Sequence, residues 1–174
     1  MRTLILGGVR SGKSRLAEKL AIESNLSVTY IATAQAGDDE MVTRIIAHRE
    51  RRPKQWQLIE EPYQLATVLE AHAKAGTCLL VECLTLWLTN LLLTPDPTLV
   101  EKERTALLST LPNLPGQIIL VGNETNMGII PMDKLSRRFC DESGQLHQAL
   151  AQISERVILT VAGLPQFLKG ASSE

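Results

Sequence analysis

Short apolar runs alternate along the chain with longer stretches whose apolar residues recur every three or four positions. Thr3–Leu6 predicts a strand, ended by Gly7-Gly8. Gly12 to Ser24 then reads as a helix with Leu16, Ala17, Leu20 and Ala21 on one face. Ser27–Ala32, β-branched and aromatic, predicts a second strand. Asp38–Arg52 reads as a helix. Its acidic start (Asp38, Asp39, Glu40) and basic end (Arg49, Arg51, Arg52) suit the helix dipole, and Pro53 stops it. Trp56–Ile59 predicts a third strand and Tyr63–Ala75 a helix. Thr77–Val81 and Gln117–Val121 have the continuous apolar character of buried parallel strands. Between them, Leu84–Leu93 and Thr98–Ser109 read as helices separated by Pro95 and Pro97. Asp133–Ser154 predicts a long helix and Arg156–Val161 a last strand. Strand and helix alternating in this way imply an α/β domain, its mainly parallel sheet covered on both faces.

Composition narrows the picture. The 174 residues make one domain, residues 1–174, and 44% hydrophobic content is enough for a proper core. Lys and Arg number 18 against 19 Asp and Glu, a net charge of -1, and aromatics are 3%. Non-specific nucleic-acid binding thus lacks both its electrostatic drive and its stacking platforms. The apolar run Cys83–Leu93 is interrupted by Thr85, Thr89 and Asn90, so no membrane span is expected. The apolar start of the chain is too short for a signal peptide. Cys78, Cys83 and Cys140 form no CxxC pair. A reduced, cytoplasmic setting is the expectation.

The most specific local signal is Gly7-Gly8-Val9-Arg10-Ser11-Gly12-Lys13-Ser14, a complete G-x-x-x-x-G-K-[ST] between a predicted strand and a predicted helix. Glycines let the backbone close around phosphate oxygens, and several N–H groups converge on one anion at the positive end of the helix. Lys13 would reach the outer phosphates, and the Ser14 hydroxyl is a magnesium ligand. The fold expectation is therefore a P-loop NTPase-type three-layer sandwich. Glu82, closing the apolar run Leu79-Leu80-Val81, is a candidate second magnesium ligand. It reads equally well as a helix cap or a surface carboxylate.

The class of P-loop protein is less determined. The guanine-reading N-K-x-D of switch GTPases is absent, which favours a small-molecule kinase or nucleotidyltransferase over a signalling GTPase. His48 lies among Arg44, Arg49, Arg51 and Arg52. A neutral imidazole there could bind phosphate, or attack the α-phosphate of a nucleotide; it also reads as a half-buried histidine on a solvated basic helix end. His72 and His147 read as structural or surface residues. A kinase of another small alcohol and a nucleotide-dependent regulatory module remain alternatives on these features.

Taken together, the phosphate loop, Tyr30–Ala34, Asp38–Met41, Arg44-Ile45 with His48, Leu80–Thr85, Thr89–Leu92, Asn123-Glu124, Met127–Pro131 and Arg138-Phe139 with Asp141 and Gly144 resemble one family over nearly the whole chain. It is the bifunctional adenosylcobinamide kinase / adenosylcobinamide-phosphate guanylyltransferase family of cobalamin biosynthesis. The resemblance implies phosphorylation of adenosylcobinamide by ATP or GTP. It then implies GMP transfer from GTP to adenosylcobinamide phosphate through a guanylylated histidine, which in this chain is His48. It further implies that Ala32, Thr33, Ala34, Arg49, Glu50, Arg51, Arg52, Glu60 and Glu82 line the guanine nucleotide, and that the protein is a homotrimer. Three positions depart from the family pattern: Ala47 where some members have a second histidine, Asn126 where Gly is frequent, and His147 where Asn is common.

Overall fold

The computed structural model describes residues 1–35 and 53–170. The helix expected over Asp38–Arg52 lies outside the described residues. In chain order the described elements are β1 (Arg2–Gly7), α1 (Lys13–Glu23), β2 (Ser27–Ala32), β3 (Gln57–Glu60), α2 (Leu65–His72), β4 (Thr77–Glu82), α3 (Leu84–Leu92), α4 (Leu99–Thr110), β5 (Gln117–Asn123), α5 (Lys134–Ile153), β6 (Arg156–Val161) and β7 (Leu164–Lys169). The strands form one sheet in the order β3-β2-β4-β5-β1-β6-β7, parallel except for the antiparallel pair β6–β7.

The apolar runs are continuous because the central strands are buried on both faces. On β4, Leu79 and Val81 enter one core cluster while Cys78 and Leu80 enter the other. On β5, Ile118 and Leu120 face the first and Ile119 and Val121 the second. The first cluster is closed by α2, α3, α4 and α5, through residues such as Leu69, Trp87, Leu107 and Leu150. The second is closed by Ala17 and Ala21 of α1, with Leu16 and Leu20 partly buried beside them. Trp87 is fully buried, and its indole N–H donates to the Tyr63 carbonyl at 2.7 Å, so its polar atom is satisfied. Arg104 ties α4 to α5 by pairing with Glu142, while Glu101 on its own helix holds the guanidinium in place.

Two elements differ from the sequence reading. Helix α2 is shorter than Tyr63–Ala75. Glu61 Oε1 accepts from the N–H groups of Tyr63 and Gln64, 2.8 Å each, and so closes the turn before it. Ala73 then leaves the helix in an extended conformation. Strand β7 was not anticipated. It follows β6 through a two-residue turn, Ala162 at φ 52 and Gly163 at φ 82, the paired positive angles that tight hairpins use. Its residues are mostly exposed and include Pro165, which an edge strand tolerates, so no apolar pattern marks it.

Candidate active site

The carboxyl ends of β1, β2, β4 and β5 converge, which is where open parallel sheets place their ligands. Residues 8–12 fold as a tight loop off β1. The N–H of Ser11 donates to Gly8 O at 3.2 Å, and Lys13 Nζ donates to the same carbonyl at 3.0 Å. Gly12 sits at φ 99 and starts α1 without any side-chain cap and without an acidic residue in the first turn. The first amides of α1 thus keep their hydrogen-bonding capacity for an outside anion.

The loop is held from behind by the β6–β7 hairpin. The Gly163 N–H donates to Ser11 O at 2.8 Å, and the Gly163 Cα lies 3.1 Å from where a side chain on Gly12 would begin. A methyl at Gly7 would meet the Thr160 carbonyl oxygen and Ser11 Oγ at 2.5 Å each. Since the first of these is backbone, Gly7→Ala is expected to cost about 1–3 kcal/mol of stability and to loosen the loop. Thermal unfolding with and without GTP checks this: both the melting temperature and its shift on adding GTP should fall.

Lys13 is 8% exposed. Burial pushes its ammonium below the usual lysine pKa, while the nearby Glu82 carboxylate pulls the other way. Ser14 Oγ hydrogen-bonds Glu82 Oε1, and the Tyr30 hydroxyl donates to Glu82 Oε2 at 3.0 Å. The cap reading of Glu82 does not hold, because Cys83 is the residue that caps α3. A hydroxyl and a carboxylate side by side make a hard, oxygen-only donor pair, which fits Mg²⁺. Among the described residues no group of three or more His, Cys, Asp or Glu could hold a metal ion.

The other expected site residues fall in three groups. Ala32 ends β2 in register with both Glu60 and Glu82. Thr33 is fully buried, and its hydroxyl donates to Cys83 O and accepts from Cys83 N–H, 2.8 Å each. Its carbonyl accepts from the Asn90 amide at 2.8 Å, so Thr33 braces the ends of β2 and β4. Ala34 is half-buried beyond it, and Glu60 is exposed at the tip of β3. His48, Arg49, Glu50, Arg51 and Arg52 lie outside the described residues.

Residue-by-residue reading missed Tyr30 and Asn90 as supports of this site. It also missed Glu124, whose N–H donates to Gly7 O at 2.9 Å, and which lies over His147. His147 Nδ1 is buried, 3.8 Å from Glu124 Oε2, with no hydrogen-bond partner among the described residues. Burial holds this imidazole below its ordinary value of 6.5, against the pull of Glu124. The unfolded chain therefore binds that proton more readily. The stability gained from neutral His147 is complete above pH 6.5 and drains away as pH falls from there towards the depressed folded value. His147→Gln should flatten the acid side of a urea-midpoint profile; an unchanged slope would assign the acid sensitivity elsewhere.

Comparison with known proteins adds an independent line. The family described as "Cobinamide kinase / cobinamide phosphate guanyltransferase" matches residues 3–168. The "Bifunctional adenosylcobalamin biosynthesis protein CobP" of Pseudomonas aeruginosa is 64% identical over 170 residues, 98% of each chain. The "Bifunctional adenosylcobalamin biosynthesis protein CobU" of Escherichia coli is 38% identical over 177 residues, covering 94% of this chain and 97% of its own. A solved structure from Pyrococcus horikoshii aligns over 99% of this chain and 87% of its own, with a TM-score of 0.58 at 8% identity, a likeness of fold alone.

Proposed function

Because the chain belongs to the cobinamide kinase / cobinamide phosphate guanyltransferase family, we propose that it performs two successive transfers on one acceptor. It is an enzyme of adenosylcobalamin biosynthesis, a transferase with kinase and guanylyltransferase activities. In the first step the hydroxyl of the aminopropanol arm of adenosylcobinamide attacks the γ-phosphorus of ATP or GTP. The bond to the bridging oxygen breaks, and a nucleoside diphosphate leaves. In the second, a ring nitrogen of His48 attacks the α-phosphorus of GTP and expels pyrophosphate. An oxygen of the new cobinamide phosphate then displaces His48, and adenosylcobinamide-GDP forms.

The observation that supports this most directly is Lys13, Ser14 and Glu82 meeting beside an uncapped helix start. The loop amides and Lys13 hold and neutralise the phosphates, so that positioning and charge complementarity supply most of the rate. Mg²⁺ held by Ser14 and Glu82 would offset charge on the phosphate oxygens. Tyr30 fixes the Glu82 carboxylate by a hydrogen bond. Arg49, Arg51 and Arg52 offset charge around His48, and Glu50, Glu60 and Ala32–Ala34 flank the guanine nucleotide. On this reading the enzyme works in the cytoplasm as a homotrimer, which the family resemblance of the sequence supports.

Incubation with α-labelled and γ-labelled GTP, with and without cobinamide, tests the scheme. The γ label should appear in cobinamide phosphate. The α label should appear first on the protein, then in the product. A γ label on the acceptor with no α label on protein or product would leave only a kinase.

A further inference from the structure

A groove of roughly 500 Å³ runs between residues 125–131 and residues 137–148 of α5. Its inner end adjoins the phosphate loop: Asn123 pairs with Gly7 in the sheet, and Glu124 N–H donates to Gly7 O at 2.9 Å. Two pins hold it open. Asn126 Nδ2 donates to Cys140 O at 3.1 Å, over Gly144, where a side chain would begin 3.1 Å from that amide nitrogen. Arg137 Nη1 donates to Pro131 O at 3.2 Å at the far end.

The lining selects a chemistry. Gln145 and Gln148 bring side-chain amides, the first oriented by Arg104, whose Nη1 donates to Gln145 Oε1 at 3.0 Å and leaves the Gln145 NH₂ for a ligand, while Ile129, Ile130 and Pro131 bring apolar surface. Among the described residues the lining carries one cation, Arg137, and one anion, Asp141, a balance that gives no net charge to draw a phosphate. Ile129 is 97% exposed, and Ile130 75%, an unusual outlay of apolar surface beside hydrogen-bonding groups. A corrin has the complementary surface: a methylated macrocycle fringed with primary amides.

The geometry points to this groove as the cobinamide site, the amides of Gln145 and Gln148 pairing with the corrin's amide fringe, Ile129 and Ile130 meeting its apolar edge, and the aminopropanol arm reaching past Glu124 to the phosphate loop. The assignment rests on the function proposed above and deepens it by placing the acceptor.

Gly128→Trp tests it. Gly128 lines the groove, and no atom lies within 4 Å of a Cβ built there, so a large side chain can start from this position without a clash at its first carbon. The KM for cobinamide should rise at least about tenfold, and for Gln145→Ala/Gln148→Ala about three- to tenfold. The KM for GTP and the α-label incorporated into the protein without cobinamide should stay within about twofold in both. A cobinamide KM unmoved in both variants, with wild-type turnover intact, would remove the groove assignment and leave the two-step reading standing. Wild-type protein that transfers nothing to cobinamide would remove the reading and the groove with it. A changed sedimentation mass, with the KM for GTP and cobinamide rising together, would make the groove a contact between copies of the chain and overturn the assignment.

Discussion

Lys13→Ala yields a folded protein with kcat/KM for GTP lowered about 10²–10³-fold in both half-reactions, the scale of losing one preorganised charge donor. The fold survives because the removed group is an ammonium held in a site that is 8% exposed, where burial opposes its charge. What is lost is specific to the nucleotide. The Gly8 carbonyl loses its lysine donor, and the outer phosphates lose the ammonium that neutralises them within the loop. Lys13→Arg does not restore activity, since a planar guanidinium does not fit the space of a compact ammonium. Steady-state kinetics on both steps, with circular dichroism melts beside them, decide the matter; turnover equal to wild type would strip Lys13 of this role.

His48→Ala abolishes the acid-labile label that α-labelled GTP leaves on the protein, while phosphorylation of cobinamide persists. Neither remaining histidine can stand in. His147 is 8% exposed, with Nδ1 buried and Nε2 3.1 Å from where a side chain on Gly122 would begin, so the ring is packed into the fold rather than offered to a nucleotide. His72 closes α2 just before the chain enters β4 at its amino end, the opposite end of the sheet from the phosphate loop. Label persisting in His48→Ala would identify a different nucleophile.

What the sequence made legible follows from how locally each feature is encoded. The strands β1, β4 and β5 read directly, because residues buried alternately on two faces leave an unbroken apolar run. The phosphate loop read directly, because its chemistry sits in eight consecutive residues. The cluster around Glu82 is different. Tyr30 reaches it only through the β2–β4 register, which sets Ala32 beside Glu82 and joins segments 52 residues apart. No local pattern encodes that register. The buried His147–Glu124 pair arises in the same way, from α5 lying across the end of β5. Strand β7 escaped notice for the opposite reason: it is an exposed edge that owes its place to a turn of positive φ angles rather than to apolar side chains.

The strand that carries the phosphate loop precedes both strands that flank it, β5 and β6, and the loop's brace is Gly163. On a ribosome, β1 therefore waits for more than a hundred later residues before it gains either neighbour. Nascent chains that stop short of the hairpin carry every residue of the loop yet lack its support, and nucleotide capture becomes a property that switches on only once the hairpin has been made.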